Sequence, residues 1–214
     1  MTVSKSGAVR QYRSQLRQQQ ARRTRVAVLD AAHTLFVARG YGATTMRQIA
    51  AEAGVSVESV YAQGSKSALL LACVDRALAG DDEPVPLLDR SDLRAAMEAR
   101  DDRDKLRLLQ TAIVRRLPKL VPVLQAFSRA AAVDDEIAAA WREHDRLRYE
   151  DSARIVAAFA PSLRPGLSRQ AATDLLWLLL STPLAAMLHA ERGWTTEAYA
   201  EWLVDAIDRL LLRP

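Results

Sequence analysis

The residues of this chain with the plainest binding chemistry are basic, and they come first. Lys5, Arg10, Arg13, Arg17, Arg22, Arg23 and Arg25 place seven cations and no acid in the first 25 positions, and the formal net charge is +4, so the chain beyond Arg25 is net acidic. Cations at that density predict an anionic partner. A second group follows in "TTMRQIAAEAGVSVESVYAQGSK", residues 44–66. It holds the hydroxyls of Thr45, Ser56, Ser59 and Tyr61, the guanidinium of Arg47, the carboxylate of Glu58 and the ammonium of Lys66, a dense set of hydrogen-bonding groups. Arg47 and Lys66 are balanced by Glu52 and Glu58, so electrostatic attraction to a polyanion must come largely from the basic segment ahead.

Catalytic and metal chemistry finds no support. His33, His144 and His189 lack metal-ligand spacing, and Cys73, the only cysteine, falls in an apolar stretch where a thiol is an inert core residue. No glycine-rich phosphate loop occurs. The sequence therefore predicts neither enzyme, metal nor cofactor. A single cysteine also excludes an internal disulfide framework and fits a reducing, cytoplasmic setting. The N-terminus has no apolar core of the secretory kind. The most apolar run, Leu175 to Leu188, is shorter than the ~20 residues that span a bilayer, so no membrane association is expected.

Half of the 214 residues are hydrophobic, Gly and Pro number only eight each, and no stretch alternates with period 2, so the chain reads as all-α. Val28, Leu29, Ala32, Leu35 and Phe36 line one face of a helix that stops at Gly40. Whether that helix extends backward, aligning Arg10, Arg13 and Arg17, stays open. Thr45 and Gln48 form a capping box for a short helix ending at Gly54, and Ser56 caps a second that ends at Gly64. Two short helices around a glycine turn make a helix-turn-helix. Ser65 caps a helix reaching Gly80. "GDDEPVPLLDRSD" has no helical period, so a domain boundary is expected within residues 80–92.

Beyond it, Leu106, Leu109, Ile113 and Leu117 predict a helix closed by Pro118, with Pro122 opening another through Phe127. Asp134 caps a long helix with Ile137, Ala140, Trp141, Leu147, Ile155 and Phe159 inward. Ser168 starts an apolar helix to Arg192, interrupted by Pro183, and Thr195 or Thr196 caps the last.

"VLDAAHTLFVARGYGATTMRQIAAEAGVSVESVYAQGSKSALL", Val28 to Leu70, resembles the DNA-binding domain of TetR-family transcriptional regulators, with its G-[YF] pair, its T-x-x-x-I-A helix, A-G-V-S, and a tyrosine followed by S-K. One departure is visible: "YAQGSK" is a residue shorter than the family pattern. The resemblance implies a basic arm (1–21), a three-helix helix-turn-helix domain (22–80) and a helical effector-binding and dimerisation domain (81–214). It implies that Ser56 to Gln63 enters the major groove of double-stranded DNA, with Val57, Glu58 and Ala62 toward bases and Ser59, Tyr61 and Lys66 toward phosphates. Arg47, Thr45 and, at the start of the helix-turn-helix domain, Arg22, Arg23 and Arg25 join that contact set.

Such regulators usually act as homodimers on pseudo-palindromic operators and are released by a small effector; repression is the commoner outcome. The apolar helix and the last helix offer an interface through Leu176, Leu180, Leu184, Trp202, Ile207 and Leu210. Phe127, Trp141, His144, Tyr149 and Trp177, large rings among alanines, are candidate effector contacts, and the scarcity of inward charge suggests a hydrophobic ligand. The alternative is a helical homodimer that binds a protein partner without specific DNA readout.

Overall fold

A computed structural model describes residues 5–80 and 85–213, with side chains from Leu16 onward. The side chains of Arg10 and Arg13, and residues 81–84 of the expected linker, lie outside the described residues. The described chain is helical, without strands; one isolated bridge joins Leu163 and Leu212. It divides into two compact units, Met1–Cys73 and Val74–Pro214.

In the first unit, α1 (Lys5–Ala43) continues backward through the basic segment, which answers the question the sequence leaves open. Arg, Gln, Leu and Ala are good helix formers, and residues 15–23 are almost entirely drawn from them. The helix is interrupted at Gly40, whose φ of 79° and ψ of 165° suit glycine. α2 (Met46–Ala53) packs against α1, α3 (Val57–Tyr61) packs against α2, and α4 (Lys66–Ala79) follows. The core is Val28, Leu29, Leu35 and Phe36 of α1 with Ile49, Val60, Leu69 and Leu70. Cys73 is buried there, its thiol 3.5 Å from the Leu29 carbonyl, as expected of a core cysteine.

The second unit contains α5 (Ser91–Glu98), α6 (Asp102–Ala131), α7 (Asp135–Ala158), α8 (Arg169–Leu179), α9 (Thr182–Arg192) and α10 (Thr196–Leu211). The caps are those read from the sequence: Asp134, Ser168 and Thr195 each accept a backbone N–H three residues on. Three expectations change. A short 3-10 turn, Leu87–Asp89, forms inside the stretch expected to hold the boundary, and α5 starts at its last two residues, with Leu93 and Ala96 buried. Pro118 and Pro122 do not separate two helices but lie inside the 30-residue α6. Being four residues apart they share one side of it, so the missing N–H groups fall together, while Val121, Val123, Leu124 and Phe127 hold the rest in the core. Leu147, expected inward, is 47% exposed.

The apolar stretch Arg169–Arg192 has the length and mean hydropathy, 1.5, of a membrane span, with 33% of its most apolar window buried. It is two helices, parted after Leu180, with Pro183 in the first turn of the second, so it is no continuous rod.

Two buried cations tie the second unit together. Lys105 donates to Asp102 and to the Ala158 carbonyl, at 2.9 and 2.8 Å. Arg116 donates through Nε to the Leu78 carbonyl near the end of α4, at 2.9 Å, and through both terminal nitrogens to Asp92, at 2.7 and 3.1 Å. Arg115 reaches the same carboxylate at 2.6 Å. These bonds, led by those from Arg116, hold the Asp92 carboxyl below the usual carboxylate range. A depressed pKa contributes stability that is full above the unfolded value, so this contribution starts to fall as pH enters the ordinary carboxylate range and is gone once pH has dropped through the depressed folded value. Arg116→Met should cost about 3 kcal/mol in thermal or denaturant unfolding, the low end for a broken buried pair because Arg115 still faces Asp92. It should also move the acid-unfolding midpoint to higher pH.

Candidate nucleic-acid interface

α2 and α3 are presented by their caps. Thr45 Oγ1 accepts from Gln48 N at 3.2 Å while Gln48 Oε1 accepts from Thr45 N at 2.9 Å, a reciprocal box, and Gly54 ends α2 with φ of 65°. Ser56 Oγ accepts from Ser59 N at 3.2 Å. α3 has five residues and then tightens, Gln63 N donating to Val60 O and Gly64 N to Tyr61 O, at 2.9 and 3.1 Å. Such i→i−3 bonds are a common helix ending.

A five-residue helix is not stable alone; Val60 holds it, with no exposed surface. At about 100° per residue, Glu58 and Ala62, two positions to either side of Val60, lie nearly opposite it, and Ser59 and Tyr61 lie on the flanks. Glu58, Ala62 and Tyr61 are exposed, Tyr61 by 62%, while Val57 and Ser59 are half-buried. A helix seated in a groove would offer its outward centre to the floor and its flanks to the walls. Ser56, Thr45 and Arg47 are exposed on the approach to this face.

Lys66 takes a role that sequence reading misses. Its Nζ donates to the carbonyls of Tyr41 and Thr44, at 3.0 and 3.2 Å, and sits 4.1 Å from the centre of the Tyr41 ring. Two of its three N–H donors thus brace the α1–α2 turn, leaving one for a phosphate. The shortened "YAQGSK" is accommodated at Gly64, with φ of 133°; a Cβ there would lie 3.0 Å from the Ala68 Cβ.

Arg22 and Arg23 are exposed and Arg25 half-buried. Arg23 lines an open groove of about 390 Å³ with Leu16, Gln19, Gln20, Thr24, Ala27 and Val55. Val55 belongs to the α2–α3 turn, so the helical arm runs out beside the helix-turn-helix.

Residues 28–73 match the family model for bacterial regulatory proteins of the tetR family. This segment is a tetR-family domain of bacterial regulatory proteins. The match covers α1 from Val28 through α3 and into α4, which includes the whole candidate reading surface. No curated protein matches the sequence significantly. Among solved structures, NalD of Pseudomonas aeruginosa, the secondary repressor of the MexAB-OprM multidrug efflux pump, is 23% identical over 91% of this chain and 98% of its own, with a TM-score of 0.69. SmeT, the repressor of the Stenotrophomonas maltophilia multidrug efflux pump SmeDEF, is 19% identical over 88% and 90%, with a TM-score of 0.65. A transcriptional regulator from Saccharomonospora viridis in complex with choline is 20% identical over 89% and 98%, with a TM-score of 0.66. At these identities the likeness establishes the fold alone, helical second unit included. The family is one of transcriptional regulators, not enzymes.

In the second unit the candidate effector residues fall into two clusters. Phe127 of α6 meets Trp141 and His144 of α7, ring centres 5.1 and 6.0 Å away. Burial, reinforced by Arg148, pushes the His144 imidazole pKa down. Tyr149 and Trp177 form the second, 6.3 Å apart, with the Arg148 guanidinium stacked 4.6 Å from the Trp177 ring. Tyr149 donates to Asp174 at 2.8 Å, and Gln170 donates to both. Arg148, Gln170 and Asp174 carry no sequence signal, because only the packing of α7 on α8 brings them together. The Trp177 Nε1–H is buried with no acceptor among the described residues.

The residues expected at a subunit interface divide. Leu176 and Ile207 are 1% and 2% exposed, so their side chains belong to the core of a single chain and offer no area to a second copy. Leu180, Leu184 and Trp202 are half-buried, and Leu210 is 42% exposed. Leu178 and Met187, not singled out from the sequence, are 56% and 46% exposed on α8 and α9.

Gly64→Ala should lower the unfolding free energy of the regulator by more than ~1 kcal/mol, through strain at positive φ and contact with Ala68. A thermal melt beside wild type checks it, and a matched loss of DNA affinity is expected because α3 hangs from this turn.

Proposed function

We propose that the protein is a homodimeric, cytoplasmic repressor that binds a pseudo-palindromic operator and releases it on taking up a small, hydrophobic effector. The observation that carries the reading is the outward face of α3, centred on Glu58 and Ala62 and flanked by Ser59 and Tyr61, within a segment matching the family's DNA-binding domain. Thr45, Arg47, Ser56, Ser59, Tyr61 and Lys66 serve phosphates or the groove edge, whereas Val57, expected to face bases, is half-buried about 60° from Val60 on the inward side and is not assigned to a base. On this reading residues 1–21 are a DNA-binding arm, 22–80 the reading domain and 81–214 the effector and dimer domain.

The arm supplies affinity. The reading helices carry almost no net charge, whereas phosphate neutralisation dominates binding to DNA. Arg22, Arg23 and Arg25 continue that cationic helix toward the core.

Dimerisation is supported by the exposed Leu178, Met187 and Leu210 and the half-buried Leu180, Leu184 and Trp202, all on α8, α9 and α10 or the turn between α8 and α9. A twofold pair doubles the few base pairs that one short helix reads. Effector binding is assigned to the two aromatic clusters, Phe127–Trp141–His144 and Tyr149–Trp177. The likeness to NalD and SmeT, repressors of multidrug efflux pumps, and to SmeT in complex with triclosan favours repression and an apolar aromatic ligand. No catalytic role is proposed.

The test is a titration of the full chain against a labelled duplex from its own upstream region, over a salt series, with and without a panel of hydrophobic aromatics. Saturable binding released by a member of the panel is expected, together with a dimer in sedimentation at micromolar concentration. Failure to bind any duplex at moderate salt would overturn the reading in favour of a protein-partner module. Deleting residues 1–21 should flatten the plot of log affinity against log salt by ~0.9 for each phosphate contact removed. An unchanged slope would make the arm a bystander.

A further inference from the structure

The centre of the outward face of α3 carries a charge of the wrong sign for a polyanion. Glu58 lies nearly opposite the buried Val60, and it is the only acid in the reading helix. Its carboxylate is held in place by its own backbone N–H and by the Ser56 hydroxyl, which keep it below the usual carboxylate range and therefore ionised in any neutral assay. That hydroxyl is also 3.0 Å from Ser59 Oγ, so the cap, the acid and the flanking serine form one small network.

An anion directed at a groove floor between two phosphate backbones weakens binding unless a donor on a base meets it. The major groove offers two such donors, the amino groups of cytosine N4 and adenine N6. Adenine places its N7 acceptor beside N6, so a carboxylate that takes the amino hydrogen turns its second oxygen toward a lone pair. Cytosine places C5–H beside N4, and no acceptor of its own opposes the second oxygen. Ala62, one helical turn on and exposed, leaves the carboxylate room to reach. We propose that Glu58 determines the sequence specificity of this regulator by accepting the N4 amino hydrogen bond of a cytosine in each half-site.

The inference rests on the assignment of α3 as the DNA-reading element. A rival explanation is that Glu58 only complements the positive end of α3, since it stands in the first turn. That role would leave base preference untouched.

The test is selection of duplexes from a random library by the wild-type full chain, by Glu58→Gln and by Glu58→Ala, followed by affinities at one salt concentration. Wild type should enrich a cytosine at one position per half-site, and replacing it should weaken binding roughly tenfold. Glu58→Ala should bind all four bases there within about twofold of one another, with higher affinity for unrelated DNA, because a repulsive charge is gone. Glu58→Gln, nearly isosteric, should move the preference toward adenine, whose N6 and N7 match its amide. If Glu58→Ala keeps the wild-type base at that position, the inference is overturned although the DNA-reading assignment stands. If wild type enriches no sequence at all, that assignment falls and the inference with it.

Discussion

The burial of Val60 is the constraint on which the reading surface depends. α3 is too short to persist as an isolated helix, so its existence and its orientation both come from the one side chain it commits to the core and from the Ser56 cap at its start. With Val60 inward, the remaining positions have no freedom about the axis. Glu58 and Ala62 must point out, and Ser59 and Tyr61 must flank them.

The surrounding parts hold that orientation. The Thr45–Gln48 box and Gly54 set the length of α2, and Lys66 ties the turn at Tyr41 and Thr44 to the start of α4. Lys66 shows how a residue type that suggests phosphate contact is also used for internal bracing: an ammonium next to carbonyls at a helix end is a favourable pairing in its own right. Affinity and specificity are then divided along the chain. On the proposed reading, the arginines of α1 provide sequence-independent attraction and a nearly neutral helix reads.

Much of the first unit was legible because its signals are local. A capping box needs only Thr45 and Gln48 three residues apart, an αL stop needs Gly54, and the core face of α1 repeats at helical spacing. The second unit was less legible. Pro118 and Pro122 are strong local breakers, yet packing of Val121, Val123, Leu124 and Phe127 keeps α6 continuous across them. Leu176 and Ile207 look like interface residues on an apolar helix, and only the neighbouring helices decide that a single chain buries them.

The sequence alone determined the helical class, the caps, the helix-turn-helix and the concentration of positive charge before Arg25, because each depends on residues close together in the chain. The tertiary structure decided that α1 runs unbroken through that charge to Gly40, which outward residue occupies the centre of α3, and which apolar side chains remain uncovered on α8, α9 and α10. It also brought Arg148, Gln170 and Asp174 beside the aromatic rings. Those outcomes depend on which faces of distant helices meet, and periodicity specifies a face without specifying its partner.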